Sequence, residues 1–429
     1  MRPPAERAVV IGGGFAGLLA AHVLGDTFTR VTVIERDPRS NTTGRRRGAP
    51  QTPHPHGLLQ RGVTTLETLF PGVRDELHDL GAHEFDFGQG TRVLFPAGWA
   101  PVGATGVRHL ACSRALLEGT LRERVAERPS VELVDGVVDA LVWAGSRATG
   151  VRDSAGRTFP ADLVVDASGR TTALVDWLVG AGFPAPPVTR VHAGLSYVTR
   201  GFHDVPPSDW HMSVEPTYAP TIRRGGLVQL VEGQQALVTL IGADGTRPPH
   251  DDHGFRDYAS GLRNPHLTET ITTGRAVGRA CRYGGLDNRW YGYHRTPRWP
   301  DNVIALGDSV AALNPIYGHG MTVAALEALA LRRLMRRYPQ PGFSRAFQRE
   351  AADTIRLPWL LAALSDVAWR PDHRSWAVHT ANRALRRILS RVPTCPDTYR
   401  ELVAVQNLLA HPLILAPSAL TRQRGAPEA

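Results

Sequence analysis

The chain contains no lysine, so all 49 of its basic residues are arginine. That absence excludes Schiff-base catalysis by a protein amine. Cysteine is nearly as scarce: Cys112, Cys281 and Cys395 form an odd, scattered set without CxxC spacing, supporting neither a disulfide framework nor a dithiol redox centre. No apolar run approaches the roughly eighteen residues of a membrane span. The opening MRPPAER leads into a short apolar stretch with no long hydrophobic region or small-residue cleavage site, so no secretory signal is expected and the protein is expected in the cytoplasm. A Ser/His/Asp or Cys/His nucleophile signature is also missing, which counts against a hydrolase.

What is present is a chain of 429 residues, 42% hydrophobic, long enough for two or three domains. Its net charge of +9 comes from scattered arginines without interleaved aromatic residues, so no nucleic-acid partner is expected. A basic field can instead draw in anionic small molecules, such as a nicotinamide phosphate or a carrier-bound acid. His54 and His56 flank Pro55 with no nearby third ligand, and no metal site is expected there.

Near the start, Ala8 to Gly17 reads AVVIGGGFAG, an apolar strand running into GxGxxG and a helix pattern through Leu24. Gly12 provides the tight turn, Gly14 a close approach to a pyrophosphate and Gly17 the helix–strand packing. A second strand, Val31 to Ile34, ends at Glu35, about twenty residues on, where a carboxylate can accept the ribose hydroxyls. This order predicts a Rossmann-type dinucleotide unit, and by itself leaves FAD and NAD equally open.

A late stretch, VIALGDSVAALNPIYGHGMTVAAL from Val303 to Leu326, predicts a strand ending at Gly307-Asp308, a loop with Pro315, Gly318 and Gly320, and a helix beginning near Met321. Glycines there let backbone N–H groups approach a flat ligand, and the helix dipole favours negative charge at that point. At these residues the chain resembles the flavoprotein monooxygenases of the p-hydroxybenzoate hydroxylase type, and in particular the actinobacterial tailoring branch that includes polyether epoxidases and FAD-containing cyclases. The resemblance implies that Asp308 holds the ribityl chain of non-covalent FAD and that Pro315, Gly318, Gly320 and Met321 lie along its ring. Leu313 and His319 stand where the family pattern has Phe and Gln. It also implies contacts to FAD from Phe15, Ala16, Arg36, Arg47, Arg114, Val138, Asp166 and Gly307. The run ADLVVDASGR, Ala161 to Arg170, is similar to the family's second nucleotide fingerprint, which implies NADPH or NADH contact at Asp166 or Arg170.

Elsewhere, Pro38 to Gln60 is a Pro- and Gly-rich polar loop. The resemblance implies that Arg46 or Arg47, with Gln51 to His56, approaches the flavin edge; the alternative for the arginines is a solvated charge run. His319, His56 and Arg47 are the candidate catalytic groups. Helical patterns cover Leu58 to Phe70 and Val73 to Leu80, and Phe85 to Ala111 reads as hairpin strands. Ser113 is placed to N-cap a helix over Ala115 to Glu127. Strands are expected over Val131 to Trp143, Gly150 to Arg157, Val191 to Thr199, Gly226 to Val231 and Ala236 to Ile241, with helices over Asp252 to Leu262 and His266 to Ile271. Helical periods then cover Phe343 to Ile355, Leu357 to Trp369, Ser375 to Leu389 and Asp397 to Leu409, with Pro358 near the start of the second.

The expected fold is α/β: a discontinuous Rossmann-like FAD-binding domain from 1–185 and 285–340, an antiparallel β substrate domain over 186–284 with a contribution from 83–111, and a C-terminal helical segment over 341–429. The resemblance implies an NAD(P)H-dependent monooxygenase that inserts one atom of O2 into a small hydrophobic or polyketide-type substrate through a flavin C4a-hydroperoxide, by alkene epoxidation or aromatic hydroxylation, as a monomer or homodimer. A non-redox cyclase with structural FAD is the alternative. The WxWxIP element of flavin halogenases is absent, as are a second GxGxxG and any added partner-binding module of a regulator.

Overall fold

The computed structural model describes residues 6–38, 52–370 and 376–420. Arg47 and Gln51, and the run Arg45 to Arg47 as a whole, lie outside the described residues.

At the centre is a five-stranded parallel sheet in the order Val303–Ala305, Leu163–Asp166, Arg7–Ile11, Arg30–Glu35 and Val131–Asp135. Val303–Ala305, Leu163–Asp166 and Arg7–Ile11 are nearly continuous apolar runs because both faces are covered, whereas the edge strand Val131–Asp135 exposes Glu132 and Asp135. Ala8 and Val10 pack on one side with the helices Phe15–Leu24 and His319–Met335, whereas Val9 and Ile11 pack on the other with Leu141, Ala148 and Trp359. Val10, Val31, Val33, Val164 and Val165 are almost wholly withdrawn from water. Each such side chain contributes roughly 1.5–3 kcal/mol of burial. All four strand ends that matter for ligand binding, at Ile11, Glu35, Asp166 and Ala305, point to one edge of this sheet. The carboxyl edge of a parallel sheet is where such folds bind ligands.

A second sheet of seven strands runs Arg275–Gly284, Ser196–His203, Gln235–Gly242, Arg224–Val231, Met212–Glu215, Thr91–Phe95 and Gly98–Trp99. It is antiparallel except where Thr91–Phe95 lies parallel to Met212–Glu215. Val198, Val238 and Leu240 face the helices Asp252–Ser260 and Pro265–Thr273, and the alternate residues Tyr197, Thr199 and Thr239 face the opposite way. The expected hairpin Phe85 to Ala111 is divided instead: His83–Asp86 and Arg108–Cys112 form a three-stranded sheet with His56–Leu58, and the middle joins the large sheet. His56–Leu58 also delays the next helix, which spans Gln60–Leu69.

Two other expectations need correction. Val191 to Thr199 is two strands, Val188–Val191 and the start of Ser196–His203, because Gly194 turns the chain with φ +62°. A Cβ at Gly194 would stand 2.7 Å from the amide nitrogen of Gly245, so the break is built into the backbone. Pro358 begins no new helix: Phe343–Val367 is continuous through it. Proline costs that helix one hydrogen bond, but Phe347, Ala351, Ile355, Trp359 and Ala362 form a single buried stripe on both sides of it. Met212–Glu215, whose alternation covers only four residues, and the mostly exposed edge strand Arg275–Gly284 are strands that the sequence did not lead us to expect. Among the described residues no helix is long and apolar enough to cross a membrane.

Candidate functional site

A cavity of about 420 Å³ opens at the carboxyl edge of the parallel sheet. Its nucleotide end is built on Gly12, at φ +98°, whose missing Cβ would lie 2.6 Å from the carbonyl oxygen of Ala167. A Cβ on Gly17 would lie 1.8 Å from the Gly12 carbonyl, so the helix Phe15–Leu24 approaches the turn as closely as backbone allows. Glu35 accepts the amide of Gly13 at 2.6 Å and that of Asp37 at 2.9 Å, which fixes its carboxylate at the cavity wall. Gly14, Phe15, Ala16, Arg36 and Val138 line the same space.

Ser113 caps the helix Arg114–Ala126 as expected, accepting the Leu116 amide at 3.1 Å. Arg114 lines the cavity, pairs with Glu118 at 2.8 Å and reaches His56 Nε2 at 3.1 Å. Glu118 in turn accepts the Phe15 amide at 3.1 Å, at the start of the nucleotide helix. His56 Nδ1 lies 2.6 Å from the His54 carbonyl, an acceptor, so Nδ1 bears the proton and Nε2 accepts from Arg114. Burial, and then the Arg114 charge, hold the His56 ring well below its ordinary pKa. The ring therefore borders the cavity as a neutral group with both nitrogens engaged.

At the other end, Gly307 (φ +69°) follows the strand Val303–Ala305 and donates its amide to the buried Glu327 at 2.7 Å. Burial, with the Asp308 charge adding to it, pushes the Glu327 carboxyl up to about 8, against the Gly307 hydrogen bond. Asp308 faces the cavity with Arg170 at 3.8 Å. Pro315, Gly318, Gly320 and Met321 form the next wall, where the helix His319–Met335 starts. From the large sheet, Tyr283, Gly284 and Gly285 close the space.

Two expected contacts lie elsewhere. Asp166 is fully buried, and its carboxylate accepts the amide and hydroxyl of Ser168 and the hydroxyl of Thr172. It shapes the turn beneath the cavity and does not line it. Arg170 does border the cavity, but donates to the carbonyls of Asp287 and Leu313 at 3.0 and 2.8 Å. His319 is likewise buried, turned from the cavity with Nε2 3.1 Å from the Gln406 carbonyl. Burial lowers its pKa to about 4, so the ring is neutral. Glu118, Glu327, Trp177 and Tyr283 belong to this region and were not anticipated.

The residues present fit an FAD molecule: a carboxylate and glycine turn at one end, an arginine at a helix start between, and a carboxylate and glycine-rich loop on a second helix N-terminus at the other. Residues 10–93 match a family model described as an NAD(P)-binding Rossmann-like domain. Protein Rv3254 of Mycobacterium tuberculosis is 32% identical over 386 residues, covering 85% of this chain and 81% of that protein. Kynurenine 3-monooxygenase of Salinispora tropica is 26% identical over 452 aligned positions, covering 98% and 91%. Among solved structures, Pseudomonas aeruginosa PqsL in complex with 2-aminobenzoylacetate superposes with a TM-score of 0.66 at 16% identity, over 94% of this chain and 99% of that one.

Proposed function

We propose that the chain, which belongs to the family of protein Rv3254, is a single-component FAD-dependent monooxygenase of the p-hydroxybenzoate hydroxylase type, with NAD(P)H as reductant. In this reading it inserts one atom of O2 into a small hydrophobic or polyketide-type substrate, by alkene epoxidation or aromatic hydroxylation. The observation that carries the reading is that the nucleotide turn, Asp308 and the Pro315 to Met321 loop line one cavity, with Tyr283 to Gly285 of the large sheet against them. The substrate side is assigned to residues 186–284 with the 83–111 segment, and the FAD side to 1–185 and 285–340. The name kynurenine 3-monooxygenase supports oxygenation of a small molecule.

Bound FAD supplies the two-electron chemistry that couples NAD(P)H to O2. The chain's own groups then have separable tasks. Glu35 accepts ribose hydroxyls. Arg114 and the N-terminus of Phe15–Leu24 offset the pyrophosphate charge, the dipole contributing about 0.3–1 kcal/mol per charge. Asp308 accepts from the ribityl hydroxyls, and the helix start at Gly318 to Met321 favours negative charge on the ring edge. The buried wall around the loop excludes water.

The test is NAD(P)H oxidation by purified holoprotein against panels of phenols and polyenes. Acceleration by a substrate with stoichiometric O2 consumption is the expected result. Full turnover without O2 or reductant, giving an isomer of the substrate, contradicts it and points to the cyclase.

A further inference from the structure

We propose that Asp366 is the positioning residue of the ring-facing loop, a role that rests on the FAD reading above. Asp366 lies in the last turn of the helix Phe343–Val367, remote in sequence from every cavity residue. Its side chain is fully buried. There its carboxylate accepts the side-chain amide of Asn288 at 2.6 Å, that of Asn314 at 3.0 and 3.2 Å, and the hydroxyl of Tyr317 at 2.8 Å. Asn314 is itself a junction. Its side-chain oxygen accepts the Tyr197 hydroxyl at 3.0 Å and the Ile316 amide at 3.2 Å, and its backbone amide donates to Asn288 Oδ1 at 2.6 Å.

Four separate parts of the fold meet in this cluster, the large sheet through Asn314. Tyr197 comes from the large sheet, Asn288 from the strand Asn288–Tyr291, Asn314 and Tyr317 from the loop, and Asp366 from the C-terminal helix. Asn314 and Tyr317 bracket Pro315 and immediately precede Gly318, and both Pro315 and Gly318 line the cavity. The loop that would lie along the flavin ring is therefore held from behind by one acidic group. Among the described residues Asp366 makes no ion pair within 4.0 Å; its surroundings are amide and phenol donors. A buried carboxylate persists only where its lone pairs are filled, and its partners then lose their freedom to rotate. An apolar residue would fill the space more cheaply, but it would leave three buried donors unsatisfied.

All three side chains around Asp366 donate to it; an amide at position 366 keeps one acceptor oxygen, and its N–H meets either a donating amide or the Tyr317 hydroxyl, which must reverse to accept. Exchanging the two side chains corrects this. A carboxylate at position 314 still accepts from Tyr197 and Ile316, and it now also accepts from the new amide at position 366. The experiment compares wild type, Asp366→Asn and a double variant that combines Asp366→Asn with Asn314→Asp, reading bound-flavin fluorescence, the resolution of the visible absorption bands and the flavin midpoint potential. In Asp366→Asn the nucleotide end is untouched, so FAD remains bound while the ring fluorescence rises, the visible bands lose resolution and the midpoint potential shifts. The double variant returns most of the way to the wild-type signature.

A folded Asp366→Asn with unchanged fluorescence, spectrum and potential overturns the proposal. If Asp366→Asn fails to fold, the double variant decides: recovery of fold and flavin signature supports the positioning role, and failure to recover overturns it. Wild type that takes up no FAD overturns this inference together with the functional reading, whereas FAD-bound wild type with an unmoved variant overturns the inference alone.

Discussion

The ring of His319 donates from Nε2 to the backbone carbonyl of Gln406 at 3.1 Å, and the side-chain amide of Gln406 donates to the carbonyl of Tyr317 at 2.9 Å. The first residue of the cavity helix and the last residue of the helix Pro396–Gln406 thus hold each other, and the loop between Tyr317 and His319 is clamped from outside. His319 is thus tied into the fold through Gln406.

That position sets a pH dependence. Burial lowers the His319 pKa from 6.5 to about 4, so the unfolded chain takes up the proton first. The stability contributed by the neutral ring is complete above pH 6.5 and is lost as pH falls toward 4, at up to about 1.4 kcal/mol per pH unit. His319→Gln should flatten this part of the curve and leave the flavin spectrum nearly unchanged. Thermal unfolding between pH 7 and pH 4.5 checks it; an identical acid slope in the variant contradicts the assignment.

Glu327 gives the opposite sign. Its pKa is raised from 4.5 to about 8, so its neutral form is the one that suits the fold, and stability falls as pH rises between those values. Glu327→Gln keeps an acceptor for the Gly307 amide and removes the titration. The variant should match or exceed wild type in melting temperature at pH 8, with the gap closing toward pH 5. A variant less stable than wild type at pH 8 shows that the carboxylate is needed there in its charged form.

Asp308 tests the ribityl end. It is part-exposed, lies at the cavity wall and among the described residues has only the 3.8 Å contact to Arg170 as an ion pair, so its removal disturbs the scaffold little. Asp308→Ala should remain folded and lose FAD affinity roughly tenfold or more, as expected for charge-assisted hydrogen bonds to a ligand. Flavin absorbance relative to protein after gel filtration reads this. Full occupancy in the variant removes Asp308 from the site.

The nucleotide turn and the late loop were legible because each packs its signal into one short segment: strand, glycines, acidic end, helix. Glu35 and Asp166 show where that reading stops. Both are carboxylates at the ends of the two parallel strands that flank Arg7–Ile11, and sequence treats them alike. Glu35 stays at the cavity wall, bound to backbone amides, while Ser168 and Thr172 fold back and consume Asp166. The cluster at Asp366 had no local signal, since Asn288, Asn314 and Tyr197 are separated from it by long stretches of chain and meet only through tertiary packing. Pro358 misled for the same reason, because the buried stripe that carries the helix through it is set by partners elsewhere.

The most direct test of oxygenation is the mass of the product formed under isotopically labelled O2, with NAD(P)H and a substrate that accelerates its oxidation. The monooxygenase account predicts that one labelled atom enters the product and the other leaves as water, with the flavin cycling between oxidised and reduced forms. Product that is isomeric with its substrate, formed at full rate without O2 while FAD stays oxidised, would contradict it.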